Sequence, residues 1–281
     1  MLGVNVRRPE RLNRLVKFQT PFFKSECSSA SNVRDITLVY GNKIIEMPMT
    51  VRNRYFENML LYDVFNEAYD NGNGGMWIKA PNTYLSNTSI DTNDWKLSRD
   101  FNNIPNGLQM AIDGAQFIRI GKDAIVNVST YNHWLGLNWI KSFFNDVTFH
   151  VMKIADNHID GALICLRPGT FLVNPLYKDA IDKQLPEKFK SWKQIVPCVA
   201  EYPKVDNNIA LASQEGMDIN ILSIDQNTVL VNKRAVNVIR ALEQEKFNVI
   251  AVELNNCELF GGGIHCSTLD IQREDEMISY I

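Results

Sequence analysis

The chain lacks any apolar run approaching the roughly 20 residues that a membrane-crossing helix needs, which excludes a helical span. It has little net charge, −3 at pH 7, which speaks against nucleic acid or an anionic membrane surface as partner. Cysteine is sparse. Cys27, Cys165, Cys198, Cys257 and Cys266 make an odd set with no short spacing. That argues against a disulfide framework and against a zinc site, and makes a reducing, cytoplasmic setting the expectation. Acids are scarce in the opening MLGVNVRRPERLNRLVKF, as in a mitochondrial transit peptide. Against that reading, Glu10 interrupts the basic run, Pro9 would break an amphipathic helix, and GVNV reads as a strand. No linker or low-complexity tract divides the 281 residues, so a single α/β domain over 1–281 is expected, and its 45% hydrophobic content supplies ample core.

What is present is a repeat. Four times an aspartate opens a short apolar run, a polar break follows, and a second apolar run closes the unit: Asp35-ITLVYGNKIIEM, Asp113-GAQFIRIGKDAIVNV, Asp160-GALICLRPGTFLVNP and Asp218-INILSIDQNTVLVN. A shorter fifth copy, GGGIHCSTLDI, carries Cys266 near the start of its expected strand. Each unit reads as two strands joined by a tight turn, such as Gly41-Asn42-Lys43 or Gly121-Lys122-Asp123. Helical spacing follows in Arg54–Asp70, Leu135–Phe144 and Ala235–Phe247, and a further strand such as Asn248–Leu254 follows the helix. The unit is therefore ββαβ. The Asn-, Asp-, Thr- and Gly-rich stretch 71–106 reads as an ordered surface insertion. Copies of one such unit pack around a common axis, so the strand starts would converge and ring one small space with carboxylates and a thiol.

Three glycines, Gly261 to Gly263, precede the isoleucine-histidine-cysteine that ends in Cys266; glycine lets a ligand approach the backbone closely. Alone, Cys266 reads equally as a buried structural cysteine. In His158-Ile159-Asp160, a strand would project residues 158 and 160 to one face. Asp35, Asp113, Asp160 and Asp218, read singly, are turn residues. Crowded together they repel, and a cationic ligand would neutralise them. A planar guanidinium, with its paired donors, fits best. A thiolate can attack the central carbon of a guanidinium held by carboxylates, and a histidine oriented by an aspartate can protonate the leaving amine. The neighbouring acids would raise the thiol's pKa, so ionisation is expected to await the cationic substrate.

These residues carry a resemblance. GVNVRRP, RDITLVYGNKIIEMPMTVRNRYFE, IDGAQFIRIGKD with NHWLGLNWI, HIDGALICLRPGTFLVNP and GGGIHCSTLDIQRED occur in the order seen in the arginine:glycine and arginine:inosamine-phosphate amidinotransferases of the guanidino-modifying (pentein) superfamily, which the chain resembles over nearly its whole length. The resemblance implies a five-bladed α/β propeller. It implies Cys266 as nucleophile, His158 as general acid and base, and Asp113 as the partner of His158. It further implies Asp35 and Asp160 as guanidinium-binding acids, no cofactor or metal, and a ping-pong transfer from an arginine-like donor to an acceptor amine. Asp218 joins the substrate side as the fourth carboxylate of the ring, and Ser213 lies near a family serine that contacts substrate.

Two departures shape the expectations. Relatives begin with roughly one more β/α unit, so the first blade is expected to be incomplete, with an edge that a second copy of the chain could cover. Where the family carries an arginine for the substrate carboxylate, this chain has Tyr177, leaving Lys178 as a point charge in its stead. Two alternatives stay open at this level: a guanidino hydrolase on the same scaffold, and a non-catalytic guanidino-binding relative.

Overall fold

The computed structural model describes residues 3–27, 30–70, 75–85, 104–154, 158–198, 217–274 and 276–280. A two-stranded hairpin, β1 (Val16–Gln19) and β2 (Lys24–Cys27), precedes the short helix α1 (Val33–Ile36). The first repeat unit comprises β3 (Thr37–Tyr40), β4 (Lys43–Glu46), α2 (Tyr62–Asp70) and β5 (Met76–Lys79). The second is β6 (Phe117–Ile120), β7 (Asp123–Asn127), α3 (Tyr131–Lys141) and β8 (Thr148–Met152). The third is β9 (Leu163–Arg167), β10 (Thr170–Val173), α4 (Lys178–Gln184) and β11 (Lys193–Ile195). The fourth is β12 (Leu222–Ser223), β13 (Thr228–Asn232), α5 (Val236–Gln244) and β14 (Asn248–Val252), after which comes α6 (Cys257–Phe260). In every unit the first two strands pair antiparallel and the third joins the second in parallel, as the ββαβ reading requires.

Period-two alternation explains how the units fuse. In β6 and β7, Phe117, Ala124 and Val126 face a core shared with the first unit, which includes Ile36, Ile45, Phe65 and Leu137. The intervening Ile118, Ile120 and Ile125 face a second core, shared with Leu163, Phe171, Phe189, Val231 and Leu242. Both faces of the second unit are therefore covered, and its strands carry apolar residues on both faces, with Arg119 the interior exception that turns to Asp270. Burying a side chain such as Phe65 or Phe171 is worth about 1.5–3 kcal/mol, so these two cores dominate the stability.

A single helical turn precedes the first strand of each unit and carries its aspartate. Asp35 lies in α1, Asp113 caps a 3-10 turn at Gly114–Gln116, Asp160 lies in Ile159–Gly161, and Asp218 lies in Met217–Ile219. The turns abut around one axis. Gly114 is held so close to the first unit that a Cβ would come within 2.4 Å of the Arg34 carbonyl. The segment 261–267 fills the fifth position and closes the ring. Ile264 N donates to Asn220 O at 3.0 Å in the fourth unit, and Arg34 N donates to Cys266 O at 3.2 Å in the first. The architecture is thus the α/β propeller that the resemblance implies, built from the ββαβ units that the repeats predict, with four three-stranded blades and a fifth position built from the Cys266 segment. The first unit, expected to be incomplete, carries its three strands, and the position without strands among the described residues is the fifth.

Several local expectations are corrected. The strand expected after Cys266 does not form: residues 264–273 carry turns and irregular backbone, with no strand among the described residues to ladder with them. GVNV is likewise exposed and unpaired as a strand, for the same reason. The stretch 71–106 is not wholly an insertion, because β5 lies inside it and completes the first blade; residues 71–74 and 86–103 of it lie outside the described residues. The helix expected from Arg54 begins only at Tyr62. Upstream, Asn58 Oδ1 accepts from the Thr37 hydroxyl (2.7 Å) and its Nδ2 donates to Ile36 O (3.0 Å), which hold a tighter 3-10 winding at Glu57–Leu61. The fully buried side chains of that segment are Leu61 and Phe65, with Leu60 and Tyr62 packed partly buried against the same core. Helix α3 starts ahead of Leu135 because Thr130 Oγ1 caps His133 N at 3.0 Å.

Behind the ring, Asp270 collects the buried guanidinium of Arg34 (3.4 Å) and that of Arg119 (2.6 Å). Burial opposes its charge, but the guanidiniums of Arg34 and Arg119 outweigh that and hold it far below the usual carboxylate range. Replacing Asp270 by asparagine leaves the buried Arg34 and the half-buried Arg119 without their carboxylate and is expected to cost about 3 kcal/mol in a denaturant unfolding experiment. A cavity of about 290 Å³ lies beside this cluster, lined among others by Arg34, Arg119, His265, Asp270 and Arg273.

Candidate active site

Because each aspartate sits in a turn at a strand start, the ring brings residues from all parts of the chain to one place. His158 is the hub. Its Nε2 lies 2.9 Å from Asp113 Oδ2 and its Nδ1 lies 3.5 Å from Asp35 Oδ1. Burial opposes its positive form, yet Asp35, Asp113 and Asp160 more than compensate and carry its pKa up to about 10. Asp113 is fixed from its other side, where its Oδ1 accepts from the backbone N and hydroxyl of Thr50, both at 3.3 Å. Its own burial is outweighed by the His158 hydrogen bond, so it stays ionised below the ordinary range.

Asp160 is the second hub. One of its oxygens, Oδ2, accepts from His265 Nδ1 at 2.7 Å and from the Cys266 thiol at 3.2 Å. A carboxylate can only accept here, so His265 presents its Nδ1–H. Burial pushes the carboxyl up, but the hydrogen bond from His265 and the surrounding positive charge hold it at about 2. His265 itself is pushed down to about 4 by burial and by Arg34, and is therefore neutral at pH 7. Cys266 is 2% exposed. Burial, then the charges of Asp160 and Asp35, raise its pKa well above the ordinary thiol value, so the free protein holds a thiol.

Asp35 is pulled two ways. Arg54 Nη1 lies 2.6 Å from its Oδ2, and Glu57 backs Arg54 at 3.0 Å. Its Oδ1 is buried and accepts no hydrogen bond. Burial raises its pKa despite His158 and Arg54. A buried acceptor left open beside a thiol suits a ligand that brings N–H donors and positive charge.

Cys266, His158, Asp113, Asp35 and Asp160 therefore share one buried cluster, as expected from sequence. The reason given for pairing His158 with Asp160 needs correcting: the pair opens a 3-10 turn, not a strand, so residue 158 reaches Asp113 and Asp35 while residue 160 reaches His265 and Cys266. Asp218 is buried in the matching turn of the fourth unit. Lys178 begins α4 and pairs with Asp182, one helical turn on, on the surface of the third unit, so its charge is engaged there and not at the cluster. Ser213 lies outside the described residues. Sequence reasoning passed over Arg54, Glu57, Thr50, His265 and Asn220. Only His265 carried a signal, as the immediate neighbour of Cys266. The others are brought in by the packing of turns onto one another.

No protein-family model matches the chain. Among curated proteins, it is 31% identical over 286 residues to an L-arginine:L-lysine amidinotransferase of Pseudomonas savastanoi pv. phaseolicola, covering 99% of this chain and 76% of the relative. Among solved structures, it superposes with a TM-score of 0.85 and 30% identity on SxtG, an amidinotransferase from Microseira wollei in a saxitoxin biosynthetic pathway, covering 99% of this chain and 81% of that one. The inosamine-phosphate amidinotransferase of Streptomyces griseus gives a TM-score of 0.86 at 27% identity, covering 99% of this chain and 78% of that one.

Proposed function

Since the chain belongs to the amidinotransferase family, we propose that it moves the amidino group of L-arginine, or of a close guanidino analogue, to an acceptor amine through an amidino-Cys266 intermediate. Arginine as donor agrees with the name of the Pseudomonas relative. The single observation that carries this reading is the Cys266 Sγ lying 3.2 Å from Asp160, within the same buried cluster as a His158 whose ring nitrogens face Asp113 and Asp35.

The steps follow from the charges. The donor guanidinium takes the place of the thiol proton at Asp160 Oδ2 and meets the open Asp35 Oδ1. Its positive charge removes the repulsion that kept Cys266 protonated, and that proton leaves to solvent. The thiolate then attacks the central carbon. His158, already protonated, gives its proton to the leaving nitrogen, and ornithine departs when arginine is the donor. An amidino-cysteine remains, carrying the positive charge, and His158 is neutral. The acceptor amine attacks, His158 recovers a proton from it, and the thiolate is regenerated. Asp113 holds the imidazole in place through both halves. No metal or redox step is called for by this donor set.

The test is incubation with guanidino-labelled arginine and a panel of amines (glycine, lysine, an inosamine), with mass analysis of products. The expected result is ornithine and a labelled guanidino product in equal amounts. Citrulline and ammonia from arginine alone would replace this reading with a hydrolase.

A further inference from the structure

We infer that Asn220 is a further catalytic residue, a side-chain donor that stabilises the thiolate of Cys266. The inference rests on the nucleophile reading above.

Asn220 follows the fourth turn by one residue and is 2% exposed. Its side chain grips Cys266 at both ends: Oδ1 accepts from Cys266 N at 3.0 Å, and Nδ2 donates to Cys266 Sγ at 3.1 Å. The amide cannot be turned round. A backbone N–H only donates, so it must face the amide oxygen, and this leaves the NH₂ on the sulfur. The same Nδ2 also donates to Asp160 O at 3.4 Å, which gives the donor group a second anchor. Asn220's carbonyl in turn accepts from Ile264 N at 3.0 Å and His265 N at 3.3 Å, which locks the cysteine segment onto it. This seating requires glycine at 263, where a Cβ would come within 2.6 Å of the Asn220 side chain.

The geometry has a direct chemical consequence. The other hydrogen bond to this sulfur favours the thiol, since Asp160 accepts its proton, and the charges of Asp160 and Asp35 repel a thiolate. The Asn220 N–H is the opposing contact among the described residues. A donor aimed at a developing anion in a dry site strengthens as the charge forms. The effect therefore falls on thiolate formation during attack and on the thiolate that leaves when the second half-reaction collapses, more than on substrate binding.

The test is Asn220→Asp, which keeps the acceptor for Cys266 N and replaces the donor by an acceptor. The thiol is titrated by its absorbance at 240 nm, as the difference from the same protein carrying Cys266→Ser, so no turnover is needed. The expected result is a thiol pKa higher by about one unit or more, with kcat reduced on the order of 10²-fold and KM little changed. Asn220→Ser, in which a shorter hydroxyl can restore part of the donation, is expected to lie between the two; it also serves should the aspartate variant not fold. An unchanged titration in a folded variant overturns the inference whatever happens to turnover. Loss of the nucleophile reading is a separate outcome, seen as transfer that survives Cys266→Ala.

Discussion

Replacing Cys266 by alanine is expected to abolish amidino transfer, with a fall on the order of 10⁴-fold or more, because among the described residues Cys266 is the thiol that hydrogen-bonds Asp160. The variant should still bind the donor. Asp35, Asp113, Asp160 and His158 remain, and removing a thiol that hydrogen-bonds Asp160 at 3.2 Å frees that carboxylate for the incoming guanidinium. Arginine should therefore raise the melting temperature of the alanine variant at least as much as that of the natural chain. Intact-protein mass analysis completes the measurement. The natural chain, incubated with donor and no acceptor, should gain one amidino group located on the Cys266 peptide, and the variant should gain none. Survival of transfer in the variant would remove the covalent route.

Replacing Asp113 by asparagine is expected to lower kcat roughly 10³- to 10⁴-fold, the scale seen when the carboxylate orienting a catalytic histidine is lost. Two effects add. The imidazole loses its 2.9 Å anchor at Nε2, and it loses one of the charges that raise its pKa to about 10. The histidine should then titrate lower, leaving less imidazolium to protonate the leaving amine, and the high-pH limb of the rate profile should move to lower pH. The stability of the two proteins supplies an independent check. His158 in the folded state titrates above its ordinary value of 6.5, so its ion pairs contribute in full below that value and are lost as pH rises through about 10. Asp113, held below the carboxylate range, contributes above its ordinary value of 3.8. The gap between natural chain and variant, ~3 kcal/mol for a broken buried pair, should be widest in the mildly acidic range between the ordinary values of 3.8 and 6.5, shrink as pH rises past neutrality, and close above pH 10. A gap that does not change with pH would show that Asp113 acts by packing alone.

The incomplete fifth position has a physical meaning for the cluster. Cys266 is not carried on a strand, so its position depends on bonds to its neighbours: Asn220 on one side and the Arg34 backbone on the other. The position of Cys266 is therefore set by the fourth and first turns together. This is why Asn220 and Arg34, remote from Cys266 in sequence, hold it as directly as the residues next to it.

The repeat of aspartate, apolar run, break and apolar run was enough to establish by itself that the chain builds ββαβ units, because strand alternation and tight turns are local properties written in consecutive residues. The glycines before Cys266 and the histidine-isoleucine-aspartate motif were enough to nominate a thiol, a base and acids, because reactive side chains are visible as residue types. Which carboxylate meets which partner was decided only in three dimensions. Residues 158 and 160 part company in a helical turn, Asp35 acquires Arg54, Asp160 is shared by His265 and Cys266, and Lys178 turns to Asp182 on the surface. Those pairings arise where one blade's turn is pressed against the next, and contacts between separate blades leave no period or spacing along the chain to be read.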